Sequence, residues 1–132
     1  MSDLVLTPRD FDAWLRGYQA AWEKRDPQAA AELFSPDAEY YWTPFDTPQR
    51  GRAEIAAAWD KAVSQQRDVS FRYDVLAVNG AVGIAHWHTK LTAVPANVPL
   101  ELDGVLVATF APTRHCRVFR EWWHTPAPAS GA

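Results

Sequence analysis

The sequence predicts an α+β fold, with three N-terminal helices packed on one face of a curved, mostly antiparallel sheet. Two observations predict it: helical periodicity is confined to the first half of the chain, and long runs of β-branched and aromatic residues separated by short turns fill the second half. At 132 residues the chain suits one domain with a genuine core, expected over residues 1–124. Residues 125–132 are small and proline-rich and read as a flexible tail.

Thr7-Pro8-Arg9-Asp10 supplies an N-cap, a proline at the first helical position and an acid in the first turn. The helix it opens runs to about residue 25, with Phe11, Trp14, Leu15, Tyr18, Ala21 and Trp22 recurring at steps of three and four. Asp26-Pro27 repeats the signal, so a short second helix covers 28–34 and buries Ala30, Leu33 and Phe34. Aromatic residues at 40–42 favour a strand over 38–43, and the prolines of 43–51 make a loop able to overhang it. Residues 52–66 read as a third helix with Ile55, Ala58, Trp59 and Ala62 on one side. Strands follow over 69–78, 82–94, 100–110 and 116–124, the first two joined by the hairpin dipeptide Asn79-Gly80.

Sixteen acidic residues against thirteen basic ones, without a basic stripe, give no electrostatic reason to bind nucleic acid or anionic lipid. No apolar run is long enough to cross a bilayer. A single cysteine, Cys116, and no basic-then-apolar leader make cytoplasmic residence the expectation. Seven tryptophans in so small a chain must fill an aromatic core or line a hollow, which points to a small hydrophobic molecule as partner.

Candidate chemistry concentrates on the strand at 82–94. Alternation puts His86, His88 and Lys90 on one face and Ala85, Trp87, Thr89 and Leu91 on the other. Neutral imidazole is a base near physiological pH, so His86 and His88 facing an enclosed cavity would be acid-base candidates; otherwise they are hydrogen-bonded surface histidines. No cysteine pair or carboxylate motif supports a metal, and no cofactor is called for. Tyr18, Trp14 and Trp22 share a helix face that either packs on the sheet or roofs a pocket; Trp42, Trp59 and Trp122, if they converge, give flat walls for a ring. Arg120, Trp122 and His124 share parity on the last strand, and placed inside they would contact ligand, with Arg120 needing Glu23, Asp103 or an anion. An apolar outer patch including Trp87, Val105, Val107 and Trp123 would favour a homodimer through the convex face.

Several stretches resemble the NTF2-like superfamily, in particular its SnoaL-like and ketosteroid-isomerase-like members. They are the helix segment from Tyr18 to Asp26, the Leu33-Phe34-Ser35-Pro36-Asp37-Ala38 junction, Gly51 with Ala53-Glu54-Ile55, and the ending Phe119-Arg120-Glu121-Trp122-Trp123-His124. The resemblance implies a cone in which the sheet wraps around a helix. It places Tyr18 where steroid isomerases keep an oxyanion-hole tyrosine, and it orients Arg120, Trp122 and His124 inward. Trp42 stands in place of their base carboxylate and Ala108 in place of their protonated acid, so that proton shuttle is absent. Trp22 and Glu23 are similar to a helix pair of scytalone dehydratase, with His86 and His88 near its sheet histidine.

The reading that results is an aromatic-lined pocket for a ring-bearing molecule. Catalysis, if present, would be cofactor-independent isomerase, dehydratase or cyclase chemistry by Tyr18, His86 and His88; Trp14, Trp22, Trp42, Trp59, Arg120, Trp122 and His124 would bind the ligand. The alternatives are a non-catalytic binding pocket and a dimeric interaction domain with a filled cone.

Overall fold

The computed structural model describes residues 4–126, so the expected tail lies mostly outside the described residues. Helix α1 (Pro8–Glu23) begins with a capping box: the Thr7 hydroxyl accepts from Asp10 N, and the Asp10 carboxylate accepts from Thr7 N. It ends before residue 25, because Arg25 turns into the left-handed region at φ 53°. Helix α2 (Pro27–Ala31), capped by Asp26, is shorter than 28–34. Phe34 is needed elsewhere: it opens β1 (Phe34–Tyr41), which pairs in parallel with β6 (Cys116–His124). The expected loop contains a two-residue strand, β2 (Gln49–Arg50), paired with β1 and leading into α3 (Gly51–Val63).

Strands β3 (Gln66–Asn79), β4 (Val82–Ala93) and β5 (Val98–Phe110) complete a six-stranded sheet in the order β2-β1-β6-β5-β4-β3. Apart from the β1–β6 pair every ladder is antiparallel, and the sheet is not closed. Gly80, at φ 61°, supplies the left-handed residue that the β3–β4 turn demands. At the β3 edge, Gln19 Nε2 donates to Phe71 O at 2.7 Å and Phe71 N donates to Glu23 Oε2 at 2.9 Å. Helix α1 thereby covers backbone groups that an edge strand would leave open to a foreign strand. Glu23 is committed to this seal and forms no dyad with a histidine. No helix among the described residues is long and apolar enough to cross a membrane.

The helices lie on the face of the sheet that carries Ala85, Trp87, Thr89 and Leu91 of β4, Leu106, Ala108 and Phe110 of β5, and Phe119 and Glu121 of β6. The expected inward parity of His86 and His88 is therefore corrected: both project from the outer face. Each large apolar side chain gains roughly 1.5–3 kcal/mol on burial, whereas burying the alternative set would desolvate the charged Lys90 together with Glu101 opposite it. The same reasoning corrects Arg120, Trp122 and His124, which lie outward while Phe119 and Glu121 point in. Trp87, assigned to the outer patch, is a core residue at 2% exposure, and Trp123 shares the inward parity, its Nε1 donating to Trp42 O at 3.1 Å.

Candidate functional site

Helix α1 crosses the sheet so that Tyr18 reaches the centre of the interior, where its hydroxyl and that of Tyr40 on β1 are 3.0 Å apart. The Tyr18 ring stacks on Phe119 and meets Trp59 of α3 edge-on. Tyr40 stacks on Phe119 from another side and tilts against Trp42. Burial pushes both phenols well above their ordinary range, and negative charge at Glu121 pushes them further the same way. Trp59 Nε1 lies close enough to the Tyr40 hydroxyl to favour its ionised form, yet it completes no hydrogen bond among the described residues.

Glu121 is the residue on which these groups converge. It is 5% exposed, and burial pushes its carboxyl up to about 8 from an ordinary 4.5. A carboxylic acid in this setting is predominantly neutral at pH 7 and can donate a proton. It lines an internal cavity of about 30 Å³ together with Tyr18, Trp22, Tyr40, Trp42 and Trp59. That volume admits one small polar group and no ring, so the expected hollow cone is corrected to a nearly filled one.

Outside this chamber lies an apolar vestibule of about 340 Å³, walled by Trp42, Phe45, Trp122, Trp123 and His124, with Glu121 shared between the two spaces. Phe45, in the loop between β1 and β2, is 95% exposed, and Trp122 and Trp123 are 43% and 36% exposed. Flat, half-wet indole and phenyl faces suit an apolar ring at this mouth.

The five tryptophans expected at the site separate into four roles. Trp22 and Trp59 line the chamber, and Trp42 borders both chamber and vestibule. Trp14 is a core residue: its Nε1 donates to Leu33 O at 3.0 Å and its ring packs edge-on against Phe34 and Phe110. Trp122 and His124 line the vestibule and not the chamber, and Arg120 lies on the outer face with its guanidinium 4.0 Å from the centre of the Tyr41 ring, so it needs no buried acid.

His86 and His88 meet acids instead of a cavity. His86 Nε2 is 2.9 Å from Asp103 Oδ1; His88 Nδ1 is 3.0 Å from Asp103 Oδ2, and its Nε2 is 2.7 Å from Glu101 Oε2. Hydrogen bonds from His88 and His86 hold the Asp103 carboxyl below its usual range. The cluster is solvent-facing, in an open groove with Arg72 and Asp74. Among the described residues no group of three or more His, Cys, Asp or Glu has an arrangement that could hold a metal ion.

Sequence reasoning passed over Glu121 and Tyr40. The available signal was parity: Glu121 shares alternation with Phe119 and lies across from Leu106, which makes it the carboxylate of an otherwise apolar row.

No curated protein matches this sequence. Solved structures do match its fold. A proposed isomerase from Bacillus subtilis superposes with a TM-score of 0.77 at 17% identity, covering 88% of this chain and 87% of that one. The epoxide hydrolase/cyclase-like enzyme SalBIII, described for pyran ring formation in the polyether salinomycin, superposes with a TM-score of 0.77 at 18% identity, covering 88% and 92%. Residues 15–121 match the model of the SnoaL-like domain, and with that share of its length matched the chain belongs to the SnoaL-like domain family.

Proposed function

We propose that this protein is a cofactor-independent isomerase or cyclase acting on a small ring-bearing molecule, with Glu121 as its proton-transfer group. The observation that carries the reading is a buried carboxyl, its proton held by burial, facing the same chamber as the Tyr18–Tyr40 hydroxyl pair beside an aromatic vestibule that shares Trp42 and Glu121 with it. The volumes divide the substrate in two. Its ring skeleton rests between Trp42, Phe45 and Trp123, while one oxygen enters the chamber.

Glu121 gives its proton to that oxygen, a carbonyl or a ring ether, as negative charge develops there. A hydroxyl of the tyrosine pair donates to the same charge. The carboxylate left behind takes a proton from the substrate carbon or hydroxyl that completes the rearrangement, so substrate and product differ by no proton. The descriptions of the two structural neighbours, a proposed isomerase and an epoxide hydrolase/cyclase-like enzyme, support the reaction class. His86 and His88, on the other face, have no part in this reaction.

The test is turnover of a panel of aromatic ketones, lactones and epoxides followed by chromatography. Glu121→Gln keeps the shape and loses the transferable proton, so the rate should fall at least about hundredfold. Undiminished turnover in that variant removes the mechanism. The nearly filled interior favours a second reading, a dimeric interaction domain paired through the outer face, for which no ligand of the panel would bind.

A further inference from the structure

The inner wall holds three buried polar groups with no hydrogen-bond partner among the described residues: Trp59 Nε1, Trp87 Nε1 and Thr89 Oγ1. Their residues are 2%, 2% and 0% exposed, and a native interior leaves few such groups unsatisfied. Two of them can only donate. The two indoles among them pack against one side chain. The Trp22 ring centre is 6.2 Å from that of Trp59 and 5.9 Å from that of Trp87, and Thr89 follows Trp87 on the same face of β4.

Trp22 is built differently from its neighbours. It sits in the last turn of α1, is only partly buried, and its Nε1 donates at 2.8 Å to the side-chain oxygen of Gln66, the first residue of β3. Gln66 and Trp22 both line the 30 Å³ chamber. One side chain-to-side chain hydrogen bond therefore latches an indole that packs against the rings of both tryptophans whose donors are unpartnered.

We propose that Trp22 is a displaceable plug, and that its withdrawal opens a second binding chamber for a neutral, planar molecule carrying acceptor oxygens and few donors, such as a fused-ring ketone or lactone. This rests on reading the interior as the site. Trp59 N–H would take one oxygen, and Trp87 N–H with the Thr89 hydroxyl another. The space freed is that of an indole, which admits a bicyclic skeleton where the closed chamber admits a single polar group. Acceptors satisfy what the wall offers; a hydrocarbon of the same shape leaves the donors as they were.

The experiment compares chromone, a fused bicycle with two acceptor oxygens, with naphthalene. Equilibrium dialysis gives the affinities, and stopped-flow tryptophan fluorescence gives the association rate. Trp22→Ala should bind chromone at least tenfold more tightly than the wild type does and prefer it to naphthalene, and adding Trp59→Phe should reduce that preference. Gln66→Ala, which releases the latch without emptying the interior, should raise the association rate of chromone at least threefold and serves if Trp22→Ala fails to fold. Equal chromone affinity in wild type and Trp22→Ala overturns the plug, as does an unchanged rate in Gln66→Ala; equal or tighter naphthalene binding by Trp22→Ala overturns the ligand class. All of these binding measurements keep Glu121 intact and read no turnover, so the plug and the turnover test of Glu121 fail separately.

Discussion

Replacing Glu121 by glutamine should change how stability depends on pH, and the size of the change follows from its setting. The unfolded chain releases this proton near 4.5, whereas the folded protein keeps it until about 8. Between those values the folded state binds more protons than the unfolded one, so stability is fully present below pH 4.5, falls as pH rises, and levels off above 8. A displacement from 4.5 to about 8, at 1.36 kcal/mol per pH unit, corresponds to about 5 kcal/mol as an upper value. That is a large share of the roughly 5–15 kcal/mol stabilising a typical domain. Glutamine has the shape of the neutral acid and does not titrate. Urea denaturation of both proteins from pH 5 to 9 should therefore give similar stabilities at pH 5 and an advantage to Glu121→Gln of several kcal/mol at pH 9. Every other titrating group is common to the two proteins and cancels in the difference. A difference that stays constant across this range would mean that Glu121 titrates as an exposed carboxyl does, and the proposed acid would be lost with it.

Tyr18→Phe leaves the Tyr40 hydroxyl without its 3.0 Å partner and should cost about 1–3 kcal/mol in urea denaturation, and the double change with Tyr40→Phe should cost less than the sum of the singles. Asp103→Asn removes the acceptor shared by His86 and His88; because the Asp103 carboxyl is held low, the wild type should be the more stable at pH 6, by less than about 1 kcal/mol at so exposed a site, and the difference should vanish as pH falls below 3.8. Gly104→Ala would put a Cβ 2.1 Å from Trp122 O and 2.9 Å from Trp123 Cβ, so β6 must shift; a loss of about 1–3 kcal/mol and altered fluorescence from the vestibule tryptophans should follow.

Much of the fold was legible because its signals are local. The Thr7-Pro8 and Asp26-Pro27 caps start the first two helices, Asn79-Gly80 turns the hairpin, and β6 occupies the expected residues 116–124. Where a tertiary partner decides, local pattern failed. Phe34 continues the apolar face of a helix by spacing, but its pairing with Cys116 draws it into β1. The vestibule loop reads only as a proline-rich connection, and nothing local announces that Phe45 stands exposed beside Trp42 and Trp123.

The site was missed through one binary choice made twice. On β4 and again on β6, a run alternates polar with apolar side chains, and chemistry is easiest to imagine for the polar set facing in. A strand that packs under helices is oriented by its largest apolar groups, and here these are Trp87 and Phe119. Once Trp87 fixes β4, the ladder across β5 carries the choice to β6: His88 lies opposite Asp103, Asp103 opposite His124, and all three face outward together. Leu106 then lies opposite Glu121 on the inner face. The register that sends two histidines to solvent is the register that buries the carboxyl. A polar group held inside by its apolar neighbours cannot escape to water by rotating the strand, and its remaining recourse is to stay protonated. That makes the acid available near neutral pH without any cation to hold it. The same alternation explains why removing Trp87 from the core should harm the site more than removing either histidine.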